Sequence, residues 1–158
     1  MTSTIILNWV LWGAQGIVAL FFFAAGCIKL SGRGMERWAG FTDLPRGQIV
    51  YIGLAEVLGA TAVVLPMSIG VLPWLTPIAA VAICVLVLMA TGFHLRARER
   101  AEAADTLLWA TVAAAVAIGR WTLIPEGSAA TPWIVTAVVI VLVPATIATA
   151  IIVRRSEA

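Results

Sequence analysis

The sequence predicts an all-α, polytopic membrane helix bundle with its N-terminus outside and its C-terminus in the cytoplasm. Of the 158 residues, 62% are hydrophobic and 11% are charged, and the mean hydropathy is +1.05. A single soluble domain does not carry so little charge. The apolar residues fall into five runs separated by short polar breaks, and the runs lack the apolar/polar alternation of a barrel strand. The basic residues supply an independent test. If five spans alternate direction, Lys29, Arg33, Arg37, Arg46, Arg96, Arg98, Arg100, Arg154 and Arg155 share one side, and Arg120 takes the other. Such an imbalance marks the cytoplasmic face, and merging or deleting any span would destroy it.

The spans are expected at residues 8–30, 49–65, 74–95, 106–121 and 133–153, within a single membrane domain covering 1–158. A hydrocarbon core of about 30 Å takes about 20 helical residues, so the first, third and fifth runs suffice. The second and fourth are short and must recruit flanking residues or sit in a locally thinned bilayer. Trp9, Trp12, Trp74, Trp121 and Trp133 form an outer aromatic belt, while Trp38 and Trp109 mark the inner side. Pro66, Pro73, Pro125 and Pro132 mark outer loops. Pro77 fits the first turn of the third helix, and Pro144 predicts a kink in the fifth. The mixed Arg and Glu run from Arg96 to Asp105 reads as a solvated loop.

These observations exclude several classes of function. No extramembrane stretch exceeds about twenty residues, too few for a soluble catalytic domain. Nothing resembles a dinucleotide fold, a phosphate loop or a metal cluster, and one His cannot supply bis-imidazole haem ligation. No intrinsic cofactor or metal site is therefore expected. The basic residues are accounted for by topology and leave no nucleic-acid footprint. Ala24-Ala25-Gly26-Cys27 looks like a lipoprotein cleavage box, but no Lys or Arg precedes it. Cys27 and Cys84 lie in different spans, without a C-x-x-C pair, and read as small buried packing residues.

A small polar constellation remains. Glu56 is a carboxylate inside an apolar run, where a charge needs shielding and a partner. Lys29 closes the first helix and His94 closes the third, and the topology places all three in the cytoplasmic half. Gly53, Gly59 and Ala60 flank Glu56, Ala25 and Gly26 precede Lys29, and Ala90 and Thr91 precede His94. Small residues let helices approach closely, so the three polar side chains are expected to face one another. Depth opposes this, because Glu56 lies about 10 Å below its helix end and the other two within about 2 Å of theirs. Alternatives stay open: Lys29 snorkelling to the headgroups, His94 at the interface, or a neutral Glu56 bonding a neighbouring helix. Asn8 and Gln15 read as amide glue between helices. Arg120 and Glu126 read as an exposed pair of little energetic weight.

Gly26, Lys29 and Leu30 closing the first helix, the stretch from Trp38 to Pro45 with its Gly-Phe pair, then Gly53, Glu56, Gly59 and Pro66, and finally Ala90 and His94 together resemble the DoxX-like membrane proteins. The resemblance covers roughly residues 10 to 125 and implies a four-helix core, to which this chain adds the fifth span. It also implies an accessory subunit of a quinone-linked oxidoreductase in the cell membrane, a bacterial inner membrane, with a redox partner protein or a homo-oligomer. Under that reading Lys29 and His94 would hydrogen-bond the carbonyl oxygens of a membrane quinone, and Glu56 would carry protons. The residues themselves leave two other functions open. A carboxylate beside an imidazole suffices for cofactor-free acid/base chemistry, an isomerisation, cyclisation or epoxide opening, on a lipid-soluble small molecule. The small-residue faces would equally serve a non-enzymatic assembly or scaffolding protein in the lipid bilayer.

Overall fold

The computed structural model describes residues 2–33 and 44–124. Four helices occupy most of them: α1 (Thr2–Ser31), α2 (Arg46–Ser68), α3 (Leu75–Arg96) and α4 (Arg100–Gly119), with a 3-10 turn at Trp121–Leu123. They belong to one compact unit, Met1–Leu123. All four helices are long and apolar enough to cross a membrane. The expected fifth span at 133–153, with Pro144, lies outside the described residues, as do Trp38, Glu126 and Trp133.

Every described helix differs from its expected bounds, chiefly at the polar ends. The second and fourth helices are not short, having 23 and 20 residues and spanning about 35 and 30 Å. Arg100 to Asp105, expected as loop, forms the first turns of α4. The reason is that hydropathy marks the hydrocarbon, whereas a helix continues into the headgroup layer, where charged side chains are solvated. Pro66 is also not a loop residue. It is buried inside α2 near the C-terminal end, where its missing N–H removes one hydrogen bond from the last turns. Pro77 does occupy the first turn of α3.

Each helix packs against its neighbour in the chain, and α1 closes the ring against α4. The connections between α2 and α3 and between α3 and α4 are short, so successive helices run antiparallel. One end of the bundle therefore carries Lys29, Arg33, Arg46, Arg96, Arg98 and Arg100, and Arg120 lies at the other. Below, the first is called the basic end.

In lipid both faces of a helix are apolar, and the core is marked by spacing and by residue size. The buried positions of α1 include Leu11, Gln15, Val18, Phe22, Ala25 and Lys29, with Gly26 beside Ala25; those of α2 include Ile49, Gly53, Glu56, Ala60 and Val63, with Pro66 beyond them. The steps alternate four and three, the knobs-into-holes register of a left-handed bundle. On α4 the buried set is dominated by Ala103, Ala110, Ala113 and Ala117, small residues that admit Ala80, Ile83 and Val87 of α3 into the same core. Leu20, Leu58, Leu88, Leu108 and Ile118 point away from the bundle, where lipid would meet them.

Two side-chain expectations are corrected. Trp109 does not mark a membrane boundary: it lies mid-way along α4 and stacks on Phe21, with centroids 4.0 Å apart and planes 18° from parallel. Cys27 is exposed, because it falls between the buried positions Ala25 and Lys29; Cys84 is half-buried.

The α1–α2 crossing is the tightest approach on this seam. A Cβ on Gly26 would lie 2.6 Å from the Gly53 carbonyl oxygen and 2.7 Å from Val57 Cγ2, whereas one on Gly13 would meet nothing within 4 Å. Gly26→Ala should therefore destabilise the bundle by about 1–3 kcal/mol through overpacking. Gly13→Ala, on the same helix, should be neutral or stabilising by up to about 1 kcal/mol. Thermal unfolding of the two variants in one detergent checks this; equal midpoints would show that the crossing tolerates a methyl group.

Candidate functional site

The glycine crossing brings Lys29 and Glu56 together. Gly26 packs against the base of Glu56, and Gly53 against Lys29 Cβ and Leu30, so each polar residue sits one turn beyond its own glycine. The Cα–Cβ bonds of a helix tilt towards its N-terminus. On α1 that tilt carries Lys29 away from the basic end, and on antiparallel α2 it carries Glu56 towards that end. The side chains thus converge, which resolves the difference in depth between their backbones. Lys29 Nζ donates to both Glu56 oxygens, at 2.9 Å to Oε1 and 2.7 Å to Oε2. The two side chains are 3% and 8% exposed. Lys29 does not snorkel to the headgroups, and the partner of Glu56 on the neighbouring helix is the Lys29 Nζ.

The neighbouring chain end is fastened by Arg46, the first residue of α2. Its Nη1 donates to the Lys29 carbonyl oxygen at 2.7 Å and its Nη2 to that of Leu30 at 2.8 Å, closing the C-terminus of α1. A cation there also opposes the negative end of the helix dipole. Gly32, at φ +71°, supplies the left-handed residue that ends the helix.

His94 is placed elsewhere. Its Nδ1 lies 2.7 Å from Glu99 Oε2, and the Glu99 N–H donates to the His94 carbonyl oxygen at 2.9 Å. These contacts clamp the α3–α4 turn, where Arg98 adopts φ +62°. Gly59 and Ile83 fix the level of α2 on α3. Counted from that contact, His94 lies about 12 Å nearer the basic end than Glu56. Of the three expected site residues, Lys29 and Glu56 meet, and His94 belongs to a separate pair. One turn before His94, Thr91 Oγ1 donates to Thr106 Oγ1 at 2.9 Å and joins α3 to α4.

The far end holds a second polar network. Asn8 and Gln15 were expected to join helices, and they do, but their shared partner is Arg120. Arg120 is buried and not an exposed member of a surface pair, because the C-cap of α4 turns it inward over α1. Gln15 completes the link by donating from Nε2 to the Val63 carbonyl oxygen of α2 at 2.8 Å. The seven-residue register of α1 was the available signal: Gln15 and Lys29 occupy equivalent positions two repeats apart. Among the described residues no group of His, Cys, Asp and Glu could hold a metal ion.

A model of the DoxX-like family matches residues 13–119, which span the Lys29–Glu56 site, all of α2, α3 and α4, and α1 from Gly13 onward. The chain belongs to the DoxX-like family. It is a multi-pass membrane protein, with lipid against the outer faces of its helices. A search of curated proteins and a search of solved structures each returned no match. The shared DoxX-like segment contains Gly26, Lys29, Gly53 and Glu56, so both halves of the glycine crossing and of the ion pair fall within it.

Because the pair is buried, its members depend on each other. Lys29→Met or Glu56→Leu alone should destabilise this DoxX-like bundle by about 3–5 kcal/mol, each leaving an uncompensated charge. The double substitution should recover most of that loss, since two apolar groups can replace a buried ion pair at little cost. A double-mutant cycle on unfolding in detergent measures the coupling; additive single effects would mean that the two side chains act independently.

Proposed function

We propose that this chain is a small accessory subunit of a quinone-linked membrane oxidoreductase, and that the Lys29–Glu56 pair is the polar site it offers to a lipophilic ligand. The observation that carries the reading is the pair itself. An ammonium and a carboxylate inside a lipid-surrounded bundle are costly to maintain, and apolar side chains would hold two helices together at least as well. Membership of the DoxX-like family supports it, by the resemblance already drawn to subunits that accompany quinone-linked enzymes.

The donor set suits such a ligand. Lys29 presents N–H donors to a carbonyl oxygen, and Glu56 can accept or return a proton at Oε1 or Oε2. A bound quinone would supply the redox chemistry, with electrons arriving through a partner protein. Lys29 would rotate one N–H from Glu56 towards the ligand oxygen, and the Glu56 carboxylate would take up a proton from the basic end and pass it to the ligand, or carry it the other way. By the positive-inside rule that end faces the cytoplasm. His94 takes no direct part, because Glu99 holds it at the α3–α4 turn. The acid/base alternative, with Glu56 working beside His94, would have to use Lys29 in place of the imidazole.

A non-enzymatic assembly role is favoured by a different observation. Nζ straddling both carboxylate oxygens over a Gly–Gly contact is also a strong fastening between α1 and α2. The paired substitution Lys29→Met/Glu56→Leu separates the two readings, since it keeps the fold and removes the proton-exchanging groups. Full-length protein should purify with bound quinone in its native form and lose it in the double variant at unchanged expression. A double variant that complements a deletion strain fully and keeps its partners would leave the fastening role alone. Absence of bound quinone in the native protein, together with normal respiration in the deletion strain, would sink the quinone reading.

A further inference from the structure

The corner of the bundle opposite the basic end contains a buried cation that the Lys29–Glu56 site does not use. Arg120 is 7% exposed. Its Nε donates to Gln15 Oε1 at 2.8 Å and its Nη1 to Asn8 Oδ1 at 2.6 Å, while Nη2 reaches the Asn8 carbonyl oxygen at 3.4 Å. Its guanidinium carbon lies 5.5 Å from the centre of the Trp12 ring. All these acceptors are neutral, and the carboxylates paired among the described residues, Glu56 and Glu99, serve Lys29 and His94. A guanidinium has five N–H donors in a fixed fork, and the described acceptors engage three of them, one at long range.

A second donor lies at the same level. Thr76, in the first turn of α3, is 0% exposed, and its Oγ1 has no partner among the described residues. The Thr91–Thr106 contact fixes the register of α3 on α4. Counted from it, Thr76 and Arg120 rise about 22 and 21 Å towards the same end, so they are level. Trp9 and Trp121 are exposed around this end, and Ile5, Ile6 and Val10 beside them are exposed and apolar. Exposed indoles of this kind sit at headgroup depth, with apolar side chains against the acyl region.

We propose that this corner binds the phosphate of an anionic phospholipid from the leaflet that meets it, with Arg120 as the anchoring cation and Thr76 as a second donor. Asn8 and Gln15 hold the guanidinium plane, and one N–H on Nη1 and one on Nη2 are left for the ligand. The forked geometry matches a phosphate, and the surrounding indoles and apolar side chains favour a lipid over a free anion. This site is independent of the function proposed for Lys29 and Glu56.

Full-length protein in detergent, titrated with phosphatidylglycerol or phosphatidylcholine and followed by native mass spectrometry and thermal shift, tests it. The native protein should prefer the anionic lipid by about fivefold, the scale expected for one Arg near the surface. Arg120→Gln should abolish the preference, and Arg120→Lys should keep part of it, with the charge but without the fork. Thr76→Val, which preserves shape, should lower the preference by about twofold, the small loss expected from one neutral hydrogen bond. No preference in the native protein, or an unchanged one in Arg120→Gln, would overturn the proposal. Equal stabilisation by inorganic phosphate alone would overturn the lipid as the source. If Arg120→Gln does not fold, the native comparison and Thr76→Val still decide.

Discussion

The close approach of Gly26 and Gly53 sets the geometry on which the rest of this bundle depends. With backbone against backbone, α1 and α2 come near enough for Lys29 and Glu56, each one turn from its glycine, to bond across the seam. A methyl group in place of the Gly26 hydrogen would lie 2.6 Å from the Gly53 carbonyl oxygen and force this crossing to shift. The ion pair then makes the approach specific. Glycines permit many crossings, but few of them place a cation from one helix over an anion from the next.

Polar contacts of this kind set the axial rotation of helices in lipid. A soluble helix is oriented by the contrast between its apolar and polar faces, and that contrast is missing where both faces are apolar. On α1, Phe22 and Val18 of the core differ little in hydropathy from Leu20 and Ile17, which are exposed. Rotation of the helix about its axis is therefore weakly opposed by burial. It is strongly opposed by removing Gln15 from Val63 and Arg120, and Lys29 from Glu56. Polar residues here do the work that hydrophobic patterning does in water.

The same fact explains what could be read from the sequence. The four described spans and the basic end were legible because composition and charge count respond to the bilayer directly. Helix ends were not, since Arg46, Arg100 and Asp105 are polar and helical together. Glu56 and Lys29 were legible as a site because an ionisable group in an apolar run is conspicuous. Their mutual contact looked doubtful only while depth was counted along backbones without the opposed tilts of the side chains. His94 was assigned to the same cluster on the strength of its helix-end position, but the register of α3 on α2 carries it to Glu99. Arg120 was misread as a surface residue because nothing in its local sequence shows that α1 passes beneath it, about a hundred residues earlier in the chain.

The seam of α1 therefore carries two polar devices of unlike electrostatics. At the basic end a cation meets a carboxylate, and the charges close on themselves with both oxygens used. At the far end the described partners of a cation are amides, a carbonyl and an indole ring, which orient its charge without cancelling it. An uncancelled cation attracts an anion at all times and suits permanent anchoring. Because both devices grip the same helix, anchoring at one end fixes the axial rotation of α1 and, with it, the alignment of Lys29 over Glu56 at the other.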